Sequence, residues 1–102
     1  MVIVIARFRP RSDNLDEFLA LLEQVQEASR GDDGCVNYGY YRGITDDSEF
    51  IAVEEWRDMD ALEGHLRTPH VARLVGALPG HSAAPPEIAT HLIADTVPLP
   101  LP

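Results

Sequence analysis

The chain has 102 residues, 45% of them hydrophobic and 25% charged, with a formal net charge of −9 at pH 7. That length suits one domain with one core, and the acidic balance argues against nucleic acid and anionic membranes, which both select basic patches. All eight basic side chains are arginines, so no lysine is present to form a Schiff base.

One cysteine, Cys35, rules out an intramolecular disulfide and a Cys-rich zinc site. Following Gly34 at the head of an apolar stretch, it reads as a structural thiol. No apolar run approaches the roughly 20 residues a membrane span needs. The opening MVIVIARFRP is too short and too soon charged for a secretory signal. The expected address is cytoplasmic.

Residues 2 to 9, VIVIARFR, are β-branched and apolar and are broken by Pro10, which predicts a strand. Its first half is apolar on both faces, as in a strand covered from two sides. A helix follows, with Asp13 or Asn14 as its cap and Glu17 in capping-box spacing from Asn14. Leu15, Phe18, Leu19, Leu22 and Val25 form its buried stripe, and Gly31 and Gly34 in RGDDG turn the chain.

CVNYGYYRGI and EFIAVEEW, separated by TDDS, predict a hairpin. In the second strand Phe50, Ala52, Glu54 and Trp56 share one face, taken as the pocket side. In the first, Tyr38 and Tyr40 share one face and Asn37 and Tyr41 the other; alternation alone does not say which pair lies under the helices. Asp58 can cap a second helix carrying Leu62 and Leu66. Thr68 and Pro69 then restart it, with Val71, Leu74, Val75 and Leu78 as the new stripe. After a loop from Pro79 to Pro86, EIATHLIADTV predicts a last strand, with His91 as a satisfied sheet histidine. VPLPLP cannot continue a ladder. The domain is placed at residues 1–97, with a Pro-rich arm at 98–102.

The order β-α-β-β-α-β, with the second helix broken, is the ferredoxin-like α+β pattern: an antiparallel sheet with helices on one face. The other face is also apolar, which predicts a homodimer packed sheet against sheet.

EEWRDMDALEGHLRTPH, residues 54 to 70, concentrates the residues suited to chemistry. His65 borders the apolar stripe at a helix end, where the dipole favours imidazolium. His70 begins a helix, where it favours neutral imidazole. Such contrasting settings suit an acid and a base; the plain alternative is one capping and one solvated histidine. A zinc helix places its histidines at i, i+4 on one continuous helix. Here the spacing is five with Pro69 between, so no metal site is expected. Trp56 is a core residue or a pocket wall, and if buried its indole N–H needs a partner.

VIARF, EFLALL, the GC leading into a tyrosine-rich strand, FIAVEEW and DALEGHLRTPH together resemble the antibiotic biosynthesis monooxygenase (ABM) family, over nearly the whole chain. The resemblance implies a dimeric α+β barrel and a small dry pocket between sheet and helices. It also implies oxidation of a hydroxylated aromatic by O2 without metal, flavin or haem. Trp56 matches the tryptophan of the polyketide-anthrone oxygenases, but their asparagine, tyrosine and arginine fall on Ala52, Leu62 and Val75. The haem-degrading branch is disfavoured, because Arg7, His65 and Val75 stand at its key positions. The quinol-oxidase-like branch has a comparable His followed by TPH, and some of its members isomerise small phosphorylated ketones. Such a phosphate would need Arg7 or Arg67.

The expected function is cofactor-independent oxidation of a quinol, anthrone or polyphenol to a quinone, with a small aromatic and O2 as reactants. His65 is its proton acceptor, and Trp56 and Tyr38 form the aromatic wall and bind the substrate oxygen. Arg7, Asn37, Tyr40, Phe50, Glu54 and His70 are the expected substrate contacts. A keto isomerase and a non-catalytic dimeric ligand-binding or stress protein are the alternatives, since one fold hosts many functions.

Overall fold

The structure is a computed structural model describing residues 1–102. Its elements are β1 (Val2–Phe8), α1 (Leu15–Arg30), β2 (Cys35–Arg42), β3 (Phe50–Trp56), α2 (Met59–Leu66), α3 (Pro69–His81) and β4 (Glu87–Leu92). The sheet order is β2-β3-β1-β4, and each neighbouring pair is antiparallel. This is the ferredoxin-like arrangement, with the second helix split in two.

Side-chain alternation divides the two faces. Val2, Val4, Phe8, Phe50, Ala52, Glu54 and Trp56 are buried, while Ile3, Ile5, Ile51 and Val53 between them are half-buried. The first set faces the helices. The second forms the apolar open face that the sequence anticipates. Two clusters fill the helix side: Trp56, Tyr38, Val25 and Leu62 at one end, Phe8, Phe18, Leu22 and Phe50 at the other.

β2 is an edge strand, and α1 satisfies two of its outward backbone groups. Arg30 Nε donates to the Tyr38 carbonyl at 2.9 Å, and the Tyr40 N–H donates to Gln26 Oε1 at 3.1 Å. Covering an edge in this way blocks pairing with another chain and fixes where the two tyrosines stand. A register shift between Cys35 and Asn37 brings Cys35 opposite Trp56 and Tyr38 opposite Glu54. Strict alternation from Cys35 would not predict that, because the extra residue of a bulge resets the faces.

The caps are partly as expected. Asp58 accepts from the Ala61 N–H at 2.8 Å, and Thr68 Oγ1 accepts from the Val71 N–H at 3.4 Å. Asn14 departs from expectation. It lies in the left-handed region at φ 57°, ψ 28°, and its side chain makes no cap bond; a side-chain N-cap needs extended backbone. α3 also runs through Pro79 to His81 rather than stopping before it. Proline disrupts mainly the preceding turn, and here Ser82 Oγ donates to the Leu78 carbonyl at 2.6 Å near the helix end. β4 ends at Leu92, so the last strand is shorter than the apolar stretch suggests, and His91 is exposed on it. No helix is long and apolar enough to cross a membrane.

Candidate functional site

The helices cover β2, β3 and β1 but leave all of β4 exposed. Under α2 and α3 this leaves a cavity of about 240 Å³, lined mostly by apolar side chains including Val4, Phe8, Leu62, Leu74 and Ile88. Five polar residues line it: Thr90 from β4, and four from the Trp56 end, Tyr38, Tyr40, Glu54 and His65. No arginine lines it.

Each of the four is placed by its element. Tyr38 and Tyr40 alternate onto the helix side of β2, and their hydroxyls share a hydrogen bond at 2.8 Å. Glu54 projects from β3 with 8% exposure, and the indole N–H of Trp56, fully buried two residues on, donates to its Oε1 at 3.0 Å. His65, at the end of α2 with 3% exposure, packs its ring 4.4 Å from that of Trp56 and 5.5 Å from that of Tyr38.

Behind His65 lies a residue that nothing in the local sequence marks. Asp32 sits in the RGDDG turn after α1, and its Oδ2 is 2.8 Å from both His65 Nδ1 and His70 Nε2. A carboxylate oxygen can only accept, so both ring nitrogens donate. His65 Nε2 is therefore left with its lone pair, 3.7 Å from Glu54 Oε1. His65 also lines a second, outer cleft with Asp32, Asp33 and Thr68, so its ring separates the two spaces. Asp32, His65 and His70 have the residue types of a two-histidine, one-carboxylate metal site, with ligand atoms all within 4.8 Å of one another. Two imidazole N–H donors satisfy that one carboxylate oxygen without an ion.

Burial dominates the electrostatics. It pushes His65 below the usual imidazole value, against the pull of Asp32 and with a small push from His70. It raises the Glu54 carboxyl, against the Trp56 hydrogen bond. Tyr38 is pushed up to about 12 and Tyr40 higher still, again chiefly by desolvation. Every titratable group on the cavity is thus biased towards its neutral form.

Of the residues expected from sequence, His65, Tyr38, Tyr40 and Glu54 come together on the cavity. Trp56 stands behind Glu54 and His65, in contact with both but not on the cavity surface. His70 lies one step further out, on Asp32. Phe50 is buried against Phe8 at the other end of the sheet, with ring centroids 5.6 Å apart, and does not reach the cavity. Arg7 and Asn37 are exposed on the opposite face, paired with Ile51 and Glu55, because alternation turns them away.

The profile of the antibiotic biosynthesis monooxygenase family matches residues 1–77. The chain belongs to this family. Among ABM relatives, Rv0793 of Mycobacterium tuberculosis, which bears the name "Putative monooxygenase", is 35% identical over 100 residues. That match covers 98% of this chain and 91% of Rv0793. The solved Rv0793 structure superposes with a TM-score of 0.86, covering 95% of this chain and 98% of that one. A crystal structure described as an antibiotic biosynthesis monooxygenase superposes at 0.84 with 30% identity, covering 96% and 100%. The Synechocystis protein sll1783 is 35% identical over 95 residues; this ABM chain spans 65% of its length, and 93% of this chain is covered.

Proposed function

We propose that the protein is a cofactor-independent monooxygenase that oxidises a small hydroxylated aromatic, a quinol or anthrone, to a quinone with O2. The observation that carries this reading is the convergence of His65 Nε2 and Glu54 on an apolar cavity with no cationic side chain. Family membership and the name borne by Rv0793 support a monooxygenase role; the substrate and the absence of a cofactor are inferred. The cavity is at the small end of ligand pockets, which run to roughly 300–1,000 Å³, and suits a substrate of one or two fused rings.

His65 takes the proton from the substrate. The resulting anion passes one electron to O2, the radicals combine, and loss of water leaves the new carbonyl. Hydrogen-bonding to an anion in an apolar cavity strengthens as charge develops, and whichever of the mutually bonded Tyr38 and Tyr40 hydroxyls keeps its O–H free would supply that bond. Trp56 holds Glu54 and backs the His65 ring.

Isomerisation of a phosphorylated ketone is less well supported. Arg7 lies on the far sheet face and Arg67 is exposed beyond α2, so neither reaches the cavity to hold a phosphate. We further propose a homodimer that buries the open face of Ile3, Ile5, Ile51 and Val53, with Tyr41, 50% exposed, beside it. Light scattering should give twice the chain mass, and Val53→Arg should give the monomer.

An oxygen electrode with a panel of naphthohydroquinones and anthrones tests the activity. Oxygen uptake is expected from the wild type and should fall about 10²–10⁴-fold in His65→Ala, the usual worth of a positioned proton acceptor. Turnover of a keto substrate without oxygen uptake would favour the isomerase. No uptake with any member of the panel would overturn the oxygenase reading.

A further inference from the structure

Asp32 is separated from His65 by 33 residues and from His70 by 38, yet one of its oxygens takes an N–H from each ring. All three side chains are largely shielded, at 16%, 3% and 11% exposure. A histidine used as a base must present a lone pair, and which nitrogen does so is set by what the other one binds. The arrangement at His65 has that logic: Nδ1 is committed to Asp32 on the outer side, and Nε2 is left on the side of the cavity and Glu54. Resting on the reading of His65 as proton acceptor, we propose that Asp32 is its positioning residue. It fixes the Nδ1–H tautomer and steadies the imidazolium formed when Nε2 takes the substrate proton. His70 holds the carboxylate in place from α3.

The step balances simply. The substrate O–H or C–H bond breaks and its electron pair stays on the substrate. The proton joins the Nε2 lone pair, and nothing is oxidised or reduced until O2 accepts an electron. The imidazolium then lies 2.8 Å from a carboxylate in a shielded setting, and it can return the proton to the leaving oxygen. An Asp–His pair of this kind works by orientation and charge, without the aspartate itself becoming protonated. The groups facing the His65 ring are Asp32 from the turn after α1, Tyr38 from β2, Glu54 and Trp56 from β3, and His70 from α3. Cys35 lies close enough to feel both carboxylates. Asp32 bonds the ring directly, whereas Glu54 stands beyond hydrogen-bond distance.

Nitrogen-15 NMR of the histidine rings tests this without any substrate. Wild-type His65 should be the Nδ1–H tautomer. Asp32→Asn should lower its proton affinity about tenfold or more, the effect of losing a charge partner at contact distance. His70→Gln, which keeps a donor for Asp32 but removes a second imidazole, should raise that affinity. With an accepted aromatic substrate, Asp32→Asn should lower kcat about 10²-fold with little change in KM, and Asp32→Glu should restore part of it. An Nε2–H tautomer in the wild type, or an unmoved His65 titration in folded Asp32→Asn, overturns the proposal. Should Asp32→Asn fail to fold, a His65 titration unmoved or lowered in His70→Gln does the same. If the ring shifts occur but no aromatic supports oxygen uptake, the monooxygenase reading falls and the Asp32–His65 pairing stands.

Discussion

Trp56→Phe should destabilise the protein by an amount that depends on pH. Trp56 is fully buried, and its indole N–H donates to Glu54 Oε1 at 3.0 Å, with Glu54 only 8% exposed. Phenylalanine removes that donor and roughly 40 Å³ of side chain, the volume alone costing about 1 kcal/mol at about 24 cal/mol per Å³. A hydrogen bond to an ionised acceptor adds about 1.5–3 kcal/mol. The loss at about pH 8 is therefore about 2.5–4 kcal/mol, a large part of the roughly 5–15 kcal/mol that stabilises a domain.

The pH dependence follows from Glu54, whose carboxyl is raised by burial. Between the ordinary carboxylate value and that raised value, the folded chain binds more protons than the unfolded one. Glu54's contribution is thus most favourable below the ordinary value and is lost as pH rises through the raised one. Without the indole N–H the carboxyl rises further. At about pH 4.5 Glu54 is largely neutral in the fold and the cost should shrink to about 1.5–2.5 kcal/mol, because a neutral acceptor contributes only about 0.5–1.5. Urea unfolding of wild type, Trp56→Phe, Glu54→Gln and the double variant at both pH values measures this. A Trp56→Phe loss that is equal at both pH values, with no coupling to Glu54→Gln at about pH 8, would refute the reasoning.

Three further outcomes are expected. Gly34 has φ +76°, and an added Cβ would collide with the Ala61 Cβ, so Gly34→Ala should cost about 2 kcal/mol or more and lower the melting temperature by roughly 8 °C or more. Asp58→Ala, which deletes the cap bond to the Ala61 N–H, should cost about 1 kcal/mol by chemical denaturation. Since burial lowers the affinity of His65 for its proton, the acid limb of kcat/KM should fall below the ordinary imidazole value; activity then survives mild acid and is lost as pH drops through the depressed value. A limb above that value would show that His65 is not the acceptor.

The order of elements was legible because periodicity and caps are local. Asp58, Thr68 and Pro69 announce the broken second helix, and the structure places α2 and α3 there. The part of the site legible from sequence is the part written in short-range alternation: Glu54 with Trp56, and Tyr38 with Tyr40. What could not be read is long-range. The Asp32 turn looks like a helix stop, and only packing of α2 and α3 against it brings two histidines onto its carboxylate. The chemistry of Arg7 and Asn37 suggests substrate contact, but each sits on the opposite parity of its strand from the cavity residues. Counting parity from Val4 on β1 would have excluded Arg7. On β2 alternation already sets Asn37 apart from Tyr38 and Tyr40; what it leaves open is which pair faces the helices, and the register shift after Cys35 keeps Cys35 from deciding it.

Burial acts on His65 and Glu54 in opposite directions in proton affinity but with one effect: both resist carrying charge. An anionic substrate standing alone in the cavity would be disfavoured for the same reason, and no arginine is there to offset it. In the proposed reaction, proton transfer to His65 avoids that penalty, because the substrate anion and the imidazolium appear together as a close pair. Asp32, on the far side of the ring, then stabilises the half of the pair that belongs to the protein, leaving the substrate anion as the more exposed charge. In the proposed reaction that anion gives one electron to O2, a small neutral molecule that an apolar cavity admits, and the imidazolium remains as the counterion of the superoxide so formed.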